Sequence, residues 1–180
     1  MIHKILYSLT ANLPCRLIDL PTGPYLERYY LGRVCGVTFY LHRFVSSDSE
    51  RHLHNHPWTW GRSLILSGGY VEERATDICP HASASGCVTH QRRIRWWNRV
   101  NAATFHQIHA AKPNTWSLFF HGPRATVMRN GRRAYKGWGF IQRQDLPDGE
   151  KVTAFFPFPS STSKWWLTAP DGRSAGRFIR

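Results

Sequence analysis

A chain of 180 residues, 42% hydrophobic and 14% aromatic, can bury the core of one domain with short extensions, which excludes a disordered polypeptide. No apolar stretch approaches the length of a membrane span, so no membrane partner is expected. The 24 Lys and Arg against 11 Asp and Glu leave a formal charge of +13, which suits an anionic partner: nucleic acid, a nucleotide, or a small acidic or phosphorylated substrate. An inert basic surface would carry the same charge.

In chain order, residues 1–36 hold Pro14, Pro21, Gly23 and Pro24 and show no long period. They predict short strands and turns, packed on the domain as an N-terminal extension. The first ten residues carry a short, interrupted apolar run without a small-residue cleavage site, so they read as mature protein in the cytoplasm. Cys15, Cys35, Cys79 and Cys87 are then not expected to build a disulfide framework. From Val37 the chain turns aromatic and β-branched. Residues 37–44 predict a strand, 46–50 a polar turn, 63–67 a strand ended by Gly68-Gly69, and 70–73 a further extended piece. Residues 75–86 are rich in Ala, Ser, Asp, Pro and Gly and predict a loop. Residues 88–95 alternate polar and apolar, as a strand does. Residues 115–120 predict a strand stopped by Gly122-Pro123. Residues 125–129 and 132–135 flank Asn130-Gly131, a pair that supplies the positive φ angles of a two-residue hairpin turn. Residues 137–141 and 152–156 complete the strands. Many short strands between Gly/Pro turns, with no long helical period, predict an all-β sandwich or barrel over residues 37–156. The basic tail 157–180 holds Lys164-Trp165-Trp166 and is either flexible or a strap held down by its tryptophans.

The run His52-Leu53-His54-Asn55-His56-Pro57-Trp58 carries the first chemical signal. Residues i and i+2 of a strand share a face, so His54 and His56 project together, joined by His52 if the strand reaches it. Two imidazoles on one face are half of a metal site, because neutral His is the commonest ligand for first-row metals. The bland alternative is a histidine-rich loop that binds nothing. Trp58 and Trp60 stand beside the pair and are expected to shape a pocket.

These residues resemble the cupin family. His54-x-His56 followed by Leu64-Ile65-Leu66-Ser67-Gly68 matches its first motif, although the position of the motif's glutamate falls on Gly61. Asn101-Ala102-Ala103-Thr104-Phe105-His106 matches the spacing of the second motif, with Asn for Pro and Ala for Gly. Leu41-His42-Arg43-Phe44, residues 53–58, 63–72, His106, 116–124 and Trp138-Gly139-Phe140 occur in the order seen in small cupin-like proteins of bacteria and their phages. The likeness covers about residues 38–142. It implies a single double-stranded β-helix, a jelly-roll barrel, with short N- and C-terminal extensions. It also implies a divalent ion on His54, His56 and His106, with Fe(II) favoured over Zn(II), Ni(II) or Mn(II). No single reaction follows, because cupins host oxygenases, isomerases, epimerases, decarboxylases and binding modules. A three-His site without a carboxylate keeps the ion's full charge and open positions. That suits a bidentate anion, dioxygen on Fe(II), or an activated water on Zn(II). Glu72, on the following strand, either restores a carboxylate or lies on the solvent side against an arginine.

Cys79, His81, Cys87 and His90 form a Cys-x-His…Cys-x-x-His set whose two thiolates and two imidazoles suit a second, structural Zn(II); incidental cysteines in a Ser/Ala loop are the alternative. Arg92, Arg93, Arg95 and Trp97, with Arg132 and Arg133 on the hairpin, combine phosphate-binding guanidiniums with a stacking ring. Simple strand alternation of outward Arg and inward Trp produces the same pattern. The expected function is a metal-dependent cupin-class enzyme acting on a small polar or anionic substrate, by oxygenation at Fe(II) or else isomerisation. Arg43, Arg62 and Arg124, with Trp58 and Trp60, are expected against the substrate, and His109 or Glu72 to move a proton. The alternative is a non-catalytic module that binds nucleic acid or a nucleotide, or a hybrid that modifies a base. Pairing of sheet edges into a homodimer is left open.

Overall fold

The computed structural model describes residues 2–20, 23–47, 52–78, 87–145, 151–158 and 164–177. As the sequence predicts, antiparallel strands dominate. After a short helix α1 (Ile2–Leu9) come β1 (Cys15–Leu20), β2 (Gly23–Val34) and β3 (Val37–Phe44), which form a meander. Then follow β4 (Gly61–Ser67), β5 (Tyr70–Ile78), β6 (Cys87–Ile94), β7 (Trp97–Val100), β8 (His106–Ala111) and β9 (Thr115–His121). β10 (Thr126–Arg129) and β11 (Arg132–Tyr135) make the expected hairpin, with Asn130 and Gly131 at φ 50° and 72°. β12 (Trp138–Asp145) pairs with β13 (Lys151–Phe158).

The larger sheet runs β1-β2-β3-β9-β4-β7 and the smaller β6-β5-β8. The histidine segment joins the smaller sheet to the β12–β13 pair. His54 exchanges both backbone hydrogen bonds with His106, at 3.0 and 2.9 Å. On its other side Ile141 N–H donates to Leu53 O at 2.7 Å, and Asn55 N–H to Gly139 O at 3.1 Å. The Asn55 side chain completes the stitch, accepting from Gly139 N–H at 2.9 Å and donating to Ala102 O at 3.2 Å. Two sheets thus face one another across an apolar core, the jelly-roll arrangement that the resemblance implies. That core comprises Leu20, Tyr25, Leu26, Phe44, Ile65, Tyr70, Ile94 and Ile108.

A second layer lies on the outer face of the larger sheet. Cys15, Tyr29, Leu41 and Trp116 are buried there, with Leu6 and Tyr7 of α1 packed against them. β3 is therefore covered on both faces, which explains why residues 40–44 are buried in succession without alternation. Arg43 belongs to this outer layer. Its Nη1 donates to Glu27 Oε1 at 2.7 Å and its Nη2 to Asn114 Oδ1 at 2.7 Å, while Tyr29 Oη donates to Glu27 at 2.6 Å. Removing one partner of such a buried pair costs ~3–5 kcal/mol. Residues 164–177 run back over the barrel. Trp166 stacks on Tyr30 with centroids 4.4 Å apart, and Arg177 stands 4.2 Å over the Tyr7 ring.

Three features depart from the sequence reading. α1 spans only two turns, too short for a helical period to be legible. β1 and β2, within the stretch 1–36 read as short strands and turns, are paired strands of the larger sheet, and β2 runs to twelve residues. β5 continues to Ile78, shortening the loop expected from residue 75. Among the described residues, no helix is long and apolar enough to cross a membrane.

Candidate metal centre

His54 and His56 come from the segment between β3 and β4, and His106 opens β8. The backbone pairing of His54 with His106 brings the three imidazoles together, with ring centroids 5.0–5.1 Å apart. One nitrogen from each lies within 4.8 Å of the others. His56 Nε2 and His106 Nε2 are 2.9 Å apart. Two nitrogens each ~2.0–2.1 Å from a shared ion and at right angles to one another stand about 2.9 Å apart, so this spacing fits adjacent ligands. Burial first, and then the neighbouring His106 and His54, push the His56 pKa well below its ordinary value. A neutral imidazole is the form that ligates.

Glu72 is fully buried on β5, behind His106. His106 Nδ1 donates to its Oε1 at 2.6 Å and Asn98 Nδ2 to the same oxygen at 2.8 Å. Arg74 Nη2 donates to Oε2 at 2.9 Å, and Arg92 Nη1 stands 3.8 Å from Oε2. Burial alone would raise this carboxyl's pKa. The hydrogen bonds from His106 and Asn98 and the charge of Arg74 outweigh it and hold the pKa at about 2. A carboxylate at Nδ1 keeps the His106 proton there and turns the Nε2 lone pair toward the cluster. Glu72 is thus neither on the solvent side nor among the clustered nitrogens.

The Gly61 position is crowded on one side and borders the cavity on another. A Cβ built there meets Val100 Cγ2 at 3.1 Å and Phe119 Cζ at 3.2 Å, so a side chain would require these two to shift by a few tenths of an ångström. A cavity of about 100 Å³ lies between the sheets, bounded by the three histidines together with Arg28, His42 and Trp58, among others. Trp58 is held between parallel rings, His56 at 4.7 Å and His121 at 4.2 Å. Burial first, then the charges of Arg28 and Arg33, lower the His121 pKa to about 4, against the pull of its hydrogen bond to Gly122 O.

The sequence reading missed Arg28. Its Nε donates to His42 Nε2 at 3.0 Å, directly across the β2–β3 ladder. The alternation of Leu26, Arg28 and Tyr30 would have indicated this face had β2 been recognised. Arg43, expected against the substrate, is 1% exposed, paired with Glu27 and packed under Tyr7, and it does not line the cavity. Arg62 borders the cavity, but its guanidinium stands over the Trp60 and Trp97 rings, at 5.8 and 5.7 Å. Arg124 stands 5.1 Å over Tyr135, and neither it nor Trp60 lines the cavity. His109 is exposed on β8, whereas His106 is buried, and His109 does not line the cavity. His52 is exposed as well. Of the basic set, Arg93, Arg95, Trp97, Arg132 and Arg133 are exposed, and Arg92 faces Glu72. For the second zinc set, Cys79 and His81 lie outside the described residues, as does the Cys87 side chain, and His90 is exposed on β6.

No family model and no curated protein sequence matches the chain. Solved structures do. Hydroxypropylphosphonic acid epoxidase from S. wedmorenis aligns at 11% identity over 61% of this chain and 55% of that one, with a TM-score of 0.40. Streptomyces albus HEPD, solved with 2-hydroxyethylphosphonate and Fe(II) bound, aligns at 13% identity over 62% of this chain and 24% of that one, TM-score 0.42. KdgF from Halomonas sp. aligns at 11% identity over 61% of this chain and 87% of that one, TM-score 0.36. The alignment spans about half the length of the first of these proteins and a quarter of the second.

Proposed function

We propose that this protein is a metal-dependent enzyme of the cupin class. His54, His56 and His106 hold a divalent ion, Fe(II) foremost, and the substrate is a small polar or anionic molecule. The observation that carries this reading is the 2.9 Å Nε2–Nε2 spacing of His56 and His106, with Glu72 fixed behind His106. The chemistry a bound ion supplies here is Lewis acidity and, for Fe(II), access to dioxygen, so oxygenation leads and isomerisation follows. The chain's own residues prepare the site. Glu72 keeps the His106 proton at Nδ1, and its three donor side chains leave it a fixed charge. Trp58 and Phe119 line the cavity with aromatic rings. Its volume is below the ~300–1,000 Å³ of pockets for drug-sized ligands, which limits the substrate to a compact molecule.

Elemental analysis of the purified protein and of a folded His56→Ala variant tests the metal. Close to one ion per chain is expected in the first and a loss of most of it in the second; equal metal content in both would refute the site. A second reading, a nucleic-acid-binding module, draws on Trp96, 76% exposed at the β6–β7 turn beside exposed Arg95. It predicts DNA or RNA affinity that falls steeply with salt and ignores the metal.

A further inference from the structure

A second cavity, of about 470 Å³, shares no lining residue with the one at the histidines. It lies between α1 and the strap 164–177, and three cations from distant parts of the chain meet at it: Lys4, Arg173 and Arg177. Specific bonds fix their meeting. Cys15 N–H donates to Pro170 O at 2.8 Å and Arg173 N–H to Ala11 O at 2.9 Å, which hold the strap beside the end of α1. Arg177 Nη1 donates to Tyr7 O at 2.6 Å, and its guanidinium carbon stands 4.2 Å from the Tyr7 ring centre and 5.3 Å from that of Tyr29. A Cβ at Gly172 would meet this guanidinium, so the glycine leaves it room. Ser8, one turn on from Lys4 on the same face of α1, adds a hydroxyl to the lining. Among the described residues, Arg177 is held by rings and a carbonyl, and its Nε and Nη2 have no hydrogen-bond partner. Asp171 feels the charge of Arg173, but its Oδ1 accepts from Ser174 N–H at 2.8 Å and it is not part of the lining.

We propose that this cleft binds a small phosphate-bearing molecule, with Lys4 and Arg173 on the phosphate oxygens and Arg177 as a fixed charge behind them. Lys4 and Arg173 are exposed and free to swing onto a ligand, whereas Arg177 is half-buried and anchored. A guanidinium meets a phosphate through paired N–H donors and an ammonium meets it as a point charge. Three cations match two or three negative charges, as on a diphosphate. The volume falls within the ~300–1,000 Å³ of small-molecule sites. The cleft is separate from the histidine cluster, so this inference stands whether or not an ion binds there.

The experiment titrates pyrophosphate into the full chain, without added metal, by calorimetry at constant ionic strength, with citrate and a short single-stranded oligonucleotide for comparison. Lys4→Gln and Arg173→Gln each remove one charge from an exposed side chain and leave the backbone bonds of the strap in place. Each is expected to weaken pyrophosphate binding roughly fivefold or more. Arg129→Gln, an equal charge loss at an exposed position of β10, is expected to change nothing. Pyrophosphate is also expected to raise the melting temperature, because it joins α1 to the strap only in the folded chain. Arg177→Gln is expected to weaken binding too; where it frees the strap, the two exposed variants still decide. Equal binding in wild type, Lys4→Gln and Arg173→Gln, an equal loss in Arg129→Gln, or no binding at all would overturn the inference. Citrate or the oligonucleotide showing a dependence on Lys4 and Arg173 that pyrophosphate lacks would overturn the ligand class.

Discussion

Replacing Glu72 by glutamine tests how the metal centre is built. The carboxylate divides its work between two oxygens. Oε1 accepts from His106 Nδ1 at 2.6 Å and Asn98 Nδ2 at 2.8 Å, while Oε2 accepts from Arg74 Nη2 at 2.9 Å, which also reaches Oε1 at 3.1 Å, and stands 3.8 Å from Arg92. Glutamine can satisfy only one side. With its carbonyl toward His106, its amide N–H groups oppose the Arg74 guanidinium, and a buried donor is left unpaired. With its carbonyl toward Arg74, the amide donates to His106 Nδ1. The imidazole then carries its proton on Nε2 and cannot ligate. Either outcome removes the negative charge that makes the imidazole a better ligand. Changes of this kind behind a metal ligand cost ~10–100-fold in affinity, about 1.4–2.8 kcal/mol, and an unpaired buried donor costs ~1–3 kcal/mol of stability. Titration of Zn(II) or Ni(II) in competition with a chelator measures the first, and urea unfolding of the metal-free protein the second. Glu73→Gln is the control, since Glu73 lies on the same strand as Glu72 and accepts from Thr89 of β6 and Gln107 of β8. A folded Glu72→Gln variant with wild-type metal affinity would refute the role assigned to the carboxylate.

The barrel is expected to lose stability in acid. His121 has a pKa of about 4 when folded, lowered first by burial, against an ordinary 6.5. Above pH 6.5 both states are neutral there; as pH falls from 6.5 to about 4 the unfolded chain takes up a proton that the folded one refuses. Stability present above pH 6.5 is thus lost on acidification, by about 3 kcal/mol for this group. His42, pushed the same way by burial, adds to the loss. Urea unfolding from pH 7 to 4 measures this, and stability that stays constant over that range would refute it. Asn55→Ala deletes the side chain that joins β12 to Ala102 across the histidine segment. It leaves the buried Gly139 N–H without its acceptor, while Ala102 O keeps its hydrogen bond from Lys136 Nζ at 2.8 Å; the change is expected to cost ~1–3 kcal/mol and to weaken metal binding. A variant with unchanged melting temperature and metal content would show that the stitch is not needed.

What was legible in the sequence was local. The strand over 37–44 and the Asn130-Gly131 hairpin follow from residue type and turn chemistry within a few positions. His54 and His56 follow from the period of two. His106 came only through the resemblance, because its position is set by pairing with His54, a contact between distant parts of the chain. Glu72 was undecidable between solvent and interior because β5 is irregular against β8 between Val71 and Glu72. Such a bulge exchanges the faces of a strand. Arg43 was misplaced for a simpler reason. Neighbours on a strand point opposite ways, so with His42 in the cavity Arg43 had to leave it. The layer that receives Arg43, under α1, had no sequence signal strong enough to be seen.

The two fully buried carboxylates show how the molecule separates its stability from its site. Glu27 and Glu72 are both 0% exposed. Glu27 neutralises Arg43 on the outer face of the larger sheet and ties β2 to β3 beneath α1. Glu72 ties β5 to His106 of β8 and Asn98 of β7. Both act behind the walls of the cavity and neither within it. Among the described residues, the cavity wall therefore presents imidazoles and guanidiniums and no carboxylate. A glutamate at the Gly61 position would add its own carboxylate to this wall. A Cβ there stands 3.1 Å from Val100 Cγ2 and 3.2 Å from Phe119 Cζ, so the side chain would enter only as those two neighbours give way by a few tenths of an ångström.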